Sequence, residues 1–217
     1  MKRYVSLIMI SAMLFTLTGC RIFDPDSATT ANPNTVAAAK PVIYLYPEKA
    51  TDVSVSLDFN GTLTSTYPHY DGEWNVTAKP DGTLTDENGR EYYCLFWEGE
   101  QDVEYDFSRG FVVKGEDTAE FLEDTLRQIG LTDKESNEFI IYWLPKMEVN
   151  EYNLISFQNE IYTDNAKLDI TPVPDSILRV FMAWKPVDEP FEITPQTFAP
   201  FVREGFTAIE WGGSEIK

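Results

Sequence analysis

Apolar Val53, Val55, Leu57 and Phe59 alternate with polar Asp52, Ser54, Ser56 and Asp58. A period of two puts one face of a strand in a core and the other in water. The apolar run at 42–46 stops at Pro47 and reads as another strand. Asn60-Gly61, Asp81-Gly82 and Asn88-Gly89 are turn dipeptides, each flanked by strand-like residues. Such pairs favour type I′ hairpins because both central residues take positive φ. Asn60-Gly61 would turn the chain into a strand at 62–67, and the first half reads as an antiparallel meander. One helix is expected after Asp117-Thr118-Ala119-Glu120, which has capping-box spacing. Thr118, Leu122, Thr125, Leu126 and Ile129 make its apolar face, and Gly130 stops it. Thr132 to Glu135 suggests only a very short second helical turn. The segments 139–144, 154–162 and 177–184 read as buried strands, and 206–211 as a last strand ended by Gly212-Gly213. The pattern predicts a mainly β fold, an antiparallel sheet or sandwich-like domain with one packed α-helix, with α+β as the alternative.

The start of the chain has a different pattern. Lys2 and Arg3 precede an uncharged, largely apolar run of 14 residues that ends at Leu17. A basic segment, a short apolar segment and small residues form a secretory signal. A membrane-spanning helix needs roughly 20 apolar residues, more than this run provides. The run ends in Leu17-Thr18-Gly19-Cys20, which resembles the lipobox of bacterial lipoproteins. That resemblance implies cleavage after Gly19 and a lipid on the thiol of Cys20, the first residue of the mature chain. The expected organisation is a signal peptide at 1–19, a lipidated N-terminus and flexible tether at 20–39, and one β-rich domain at 40–217. Residues 21–39 are rich in Ala, Thr, Asn, Pro and Asp without periodicity. As a flexible coil they would span about 25 Å.

Loss of Lys2 and Arg3 would leave 15 basic against 36 acidic residues, a formal charge of −21. Nucleic acid is therefore not an expected partner, because phosphate binding needs Lys and Arg in excess. The membrane is expected as a partner only through the lipid on Cys20, with an envelope ligand or protein left open. If Cys20 is a thioether, Cys94 has no disulfide partner in the chain. Its apolar surroundings, Tyr92-Tyr93-Cys94-Leu95-Phe96-Trp97, read as those of a buried small hydrophobe.

Three further stretches carry a second resemblance: Lys40-Pro41-Val42-Ile43-Tyr44-Leu45-Tyr46-Pro47, Gly110-Phe111-Val112-Val113-Lys114-Gly115-Glu116-Asp117 and Gly205-Phe206-Thr207-Ala208-Ile209-Glu210-Trp211-Gly212-Gly213. They resemble an uncharacterised family of bacterial secreted or lipid-anchored proteins. The resemblance implies one intact domain and no particular activity.

The chain has one histidine, His69, and no G-x-S-x-G elbow, P-loop or dinucleotide fingerprint. His69 and Cys94 fall short of the ligand set of a usual zinc site. No catalytic residue, metal ligand or cofactor is assigned. Glu98, Glu100, Asp102, Glu104 and Asp106 alternate, and if extended they line one face. A solvated, pairing-resistant edge is the plain reading and a calcium site the alternative. Trp74, Trp97, Trp143, Trp184 and Trp211 read as core, with a sugar-stacking platform as the alternative. Arg179 lies in an apolar strand and needs a carboxylate partner. Glu160, expected on the preceding strand, is the candidate, either as a structural pair or as the polar floor of a ligand site. Two functions are expected from this reading: a non-catalytic binding or interaction domain on a lipid-anchored extracytoplasmic protein, or a carboxylate-dependent cell-envelope glycan hydrolase.

Overall fold

The structure, a computed structural model, describes residues 35–217. The expected signal peptide at 1–19, the expected lipid site Cys20 and the expected tether as far as residue 34 lie outside the described residues. The fold is mainly β, with two sheets and three α-helices among the described residues. The strands are β1 (Thr35–Tyr46), β2 (Thr51–Phe59), β3 (Thr62–Tyr67), β4 (Trp74–Ala78), β5 (Leu84–Thr85), β6 (Glu91–Tyr92), β7 (Leu95–Asp102) and β8 (Phe111–Lys114). Two helices follow, α1 (Thr118–Ile129) and α2 (Asp133–Met147). The chain then forms β9 (Tyr152–Phe157), α3 (Asn159–Asn165), β10 (Ala166–Thr171), β11 (Ser176–Val187) and β12 (Thr207–Glu215).

The larger sheet runs β3-β7-β1-β12-β11-β9-β8 and the smaller β10-β2-β4-β5-β6. Alternation along each strand divides the apolar residues into two cores. Val53, Val55 and Leu57 of β2 face Ile43 and Leu45 of β1 and Phe181 of β11 between the sheets. Val42 and Tyr44 of β1, with Ile209 and Trp211 of β12, face α1 and α2 on the other side of the larger sheet. The result is three layers: small sheet, large sheet, helix pair. All pairings are antiparallel except β11 with β12, which run parallel. The connection at 188–206 carries the chain back to make that pair and contains no helix or strand.

Several expectations change. β1 begins at Thr35 and pairs with β7 from Thr35–Asp102 onward, so residues 35–39 belong to the sheet and not to a tether. Asn60-Gly61 is not a hairpin, because β2 and β3 belong to different sheets. Gly61 is required there for closeness: a Cβ would lie 2.4 Å from the Glu100 carbonyl oxygen. Asp81-Gly82 and Asn88-Gly89 do close hairpins, β4-β5 and β5-β6.

The apolar face of α1 is buried as expected, at Thr118, Leu122, Thr125, Leu126 and Ile129, but Asp117 makes no side-chain cap. The capping box sits at α2 instead. Thr132 Oγ1 accepts the Glu135 N–H, and Glu135 Oε2 accepts the Thr132 N–H. Residues 139–144 are therefore helical. A continuous apolar run has no period of its own, and the box decides its state. Phe139, Ile140, Trp143 and Met147 are the buried face of α2. Residues 154–162 divide into β9 and α3. β12 runs through Gly212-Gly213, because a Cβ at Gly213 would meet the Trp143 ring and the Met182 carbonyl at 2.6 Å. Without one, α2 packs tightly on the sheet.

Candidate functional site

Arg179 and Glu160 do not meet. Glu160 is an exposed residue of α3, because the chain leaves the sheet after Phe157. Arg179 pairs with Glu210, its direct neighbour across the parallel β11-β12 register. Arg179 Nε donates to Glu210 Oε2 at 2.6 Å, with side chains only 8% and 1% exposed. Trp97 Nε1 donates to Glu210 Oε1 at 3.0 Å, and the guanidinium lies 4.8 Å over the Tyr162 ring. Burial, reinforced by the Glu210 carboxylate, pushes the Tyr162 phenol far above its usual range. This group lies between the sheets and ties β7, β11, β12 and α3 together. Sequence reasoning found Arg179 and missed Glu210, although Ala208-Ile209-Glu210-Trp211 shows the same signal, a charge inside an apolar strand.

Glu160 instead lines a groove of about 380 Å³ where β9 passes into α3. The groove is built by side chains that bind backbone. Gln158, itself buried, donates from Nε2 to the Asp106 carbonyl at 2.5 Å and accepts the Asp106 N–H at 3.2 Å. Ser156 Oγ donates to the Arg109 carbonyl at 2.8 Å. These bonds hold residues 106–109 against β9. On the opposite wall, Gln196 of the 188–206 connection accepts the Phe157 N–H at 2.7 Å and donates to the Phe157 carbonyl at 2.9 Å. Its carboxamide stands where a neighbouring strand would put a peptide group. Phe198 packs on Phe157 and Phe111 and anchors this segment.

Three charged side chains reach the groove: Asp106, Arg109 and Glu160. Asp106 accepts the Ser108 N–H at 2.7 Å and its hydroxyl at 2.9 Å, which holds the carboxyl below the usual range. Arg109 Nη2 donates to the Pro195 carbonyl at 3.3 Å.

Other candidates fall elsewhere. A second concavity, also about 380 Å³, lies along the outer face of the small sheet. Its side chains bond one another, Thr77 to Asp52 at 2.6 Å and Ser54 to Glu73 at 2.7 Å. The acidic row is interrupted: β7 ends at Asp102, with Glu104 and Asp106 beyond it. Glu98 Oε1 accepts the Lys40 N–H. Among the described residues no group of three His, Cys, Asp or Glu side chains gathers as a metal site would require. All five tryptophans are buried, so they form core and not a sugar platform. Cys94 is free and buried. Burial, with a smaller push from Glu138, raises its thiol to about 12, and it is inert as a nucleophile at neutral pH.

The chain is similar to a protein of Butyrivibrio fibrisolvens described as an uncharacterised protein in the bglA 3′ region. Identity is 41% over 102 residues, 46% of this chain and 98% of the relative. No family model matches the chain. No solved structure matches it significantly.

Proposed function

The chain belongs to the same family as the uncharacterised Butyrivibrio fibrisolvens protein of the bglA 3′ region, and from that premise we propose that it is a lipid-anchored extracytoplasmic protein whose β-rich domain binds its ligand without catalysis. Lys2-Arg3, the apolar run and Leu17-Thr18-Gly19-Cys20 support the anchor. The groove at the β9–α3 junction carries the binding reading. Its walls are set in advance by the Gln158, Ser156 and Gln196 bonds to backbone, and preorganised walls lower the ordering cost of binding. About 380 Å³ is at the small end of ligand sites, which span roughly 300–1,000 Å³.

The glycan-hydrolase alternative is less well supported. A carboxylate pair of that kind needs one member held protonated as the general acid. Asp106 is shifted the other way by the Ser108 N–H and hydroxyl, so it is not that acid.

Two experiments test the proposal. Cys20→Ser is expected to abolish incorporation of a fatty-acid analogue and to leave the protein unprocessed or released into the medium. Label persisting in the variant would refute the anchor. The purified Cys20→Ser protein is expected to show a raised midpoint of thermal unfolding with soluble extracts of cell-envelope material, and to release no reducing ends from the isolated envelope. Release of reducing ends would establish the hydrolase, and an unshifted midpoint with every envelope extract would refute an envelope-binding domain.

A further inference from the structure

The groove holds charges of both signs that do not neutralise one another. Arg109, Asp106 and Glu160 line one concavity, yet none of the ion pairs among the described residues includes any of them. Arg109 uses one N–H on the Pro195 carbonyl, which leaves most of its five donors. Asp106 receives only neutral donors, both from Ser108. Among the described residues the carboxylate of Glu160 has no hydrogen-bond partner. All three side chains are exposed to solvent, unlike the buried carboxylates of Glu210 and Glu135, which pair with Arg179 and Arg203.

The groove wall also holds an amide. The Gln196 carboxamide forms two hydrogen bonds to the main chain of Phe157 and fixes this wall. Asn159 accepts the Phe181 N–H through Oδ1 at 2.9 Å, and its NH₂ is left to donate. Arg offers a planar fork matched to a carboxylate, and two carboxylates attract an ammonium.

Resting on the binding reading above, we infer that the groove is a site for a short peptide with both termini free, its C-terminal carboxylate on Arg109 and its N-terminal ammonium on Glu160 and Asp106. The small volume selects a few residues over a polymer. Recognition of two opposite charges excludes internal segments of longer chains, which carry neither terminus.

The test uses the full-length protein in detergent and a set of Ala-X-Ala tripeptides in which X runs through the twenty amino acids. Each is supplied free, N-acetylated, C-amidated and doubly capped. Binding to the folded state raises the midpoint of thermal unfolding, which the buried tryptophans report by fluorescence. At least one free tripeptide is expected to raise the midpoint at millimolar concentration, and either cap to weaken it tenfold or more. Arg109→Gln should bind the free and amidated forms alike, and Glu160→Gln should reduce the preference for the free over the acetylated form. Doubly capped peptides binding as tightly as free ones, with loss in Arg109→Gln, would overturn recognition of the termini and leave the groove as a binding site. No response to any tripeptide would overturn the peptide inference, and the envelope extracts would then decide the binding reading by themselves. Binding of free tripeptides unaffected by either substitution would remove the groove as the site and sink both.

Discussion

Arg179→Met is expected to destabilise the fold by about 3–5 kcal/mol, because it leaves the Glu210 carboxylate buried without its counter-charge. Glu210 is 1% exposed, so it cannot recover solvation without opening the space between the sheets. Trp97 Nε1 still donates to it, but one neutral donor does not replace a guanidinium. Glu210→Gln should cost a comparable amount, since it strands Arg179 and keeps an acceptor for Trp97. Arg179→Met with Glu210→Gln should lose much less than the two singles together, because neither charge then remains. Urea unfolding of the four proteins gives the coupling energy directly. Glu160→Gln provides the internal reference: an exposed surface change is expected to stay within about 0.5 kcal/mol. A coupling for Arg179 and Glu210 below that size would mean that the two side chains do not interact in solution.

Trp143→Ala should have an effect of similar size, about 3–5 kcal/mol, as for other large aromatic side chains removed from a core. Trp143 is 1% exposed and joins α2 to the large sheet. Its ring meets Trp184 edge-on at 6.4 Å and lies where a Cβ on Gly213 would stand. Trp143→Phe should cost clearly less. The indole N–H has no hydrogen-bond partner among the described residues, so replacement by Phe removes an unsatisfied donor along with part of the ring. Thermal and urea unfolding followed by circular dichroism would check both variants. Equal losses for Ala and Phe would show that the fit against Gly213, and not the aromatic volume, limits stability.

Those elements whose local signal agrees with their tertiary setting were legible in the sequence. The two-residue period of β2 and the apolar face of α1 need no partner to be recognised, and both are buried as written. Difficulty begins where local chemistry permits two outcomes. Phe139-Ile140-Ile141-Tyr142-Trp143-Leu144 is apolar without alternation, and the Thr132–Glu135 box settles it as helix. Asn60-Gly61 has the composition of a hairpin, yet its glycine serves a close contact with the Glu100 carbonyl as the chain changes sheets. The charged groups were harder still. Glu210 lies 31 residues from Arg179 in sequence, and only the parallel β11-β12 register brings them together. The groove was illegible for the same reason: residues near 106, 158 and 196 meet through the connection at 188–206, whose path no periodicity encodes.

The strand order has a consequence for how the molecule is made. β1 lies between β7 and β12 inside the large sheet, so the first described strand to leave the ribosome waits for the last. Until β12 is synthesised, one edge of β1 is unpaired and the apolar Val42, Ile43, Tyr44 and Leu45 lack half their neighbours. Pairings so distant in sequence carry a large loop-closure cost and fold slowly. The large sheet therefore cannot close until the end of the chain is made. For the export proposed above, which threads an open chain through a narrow channel, this delay in closing the large sheet is an advantage.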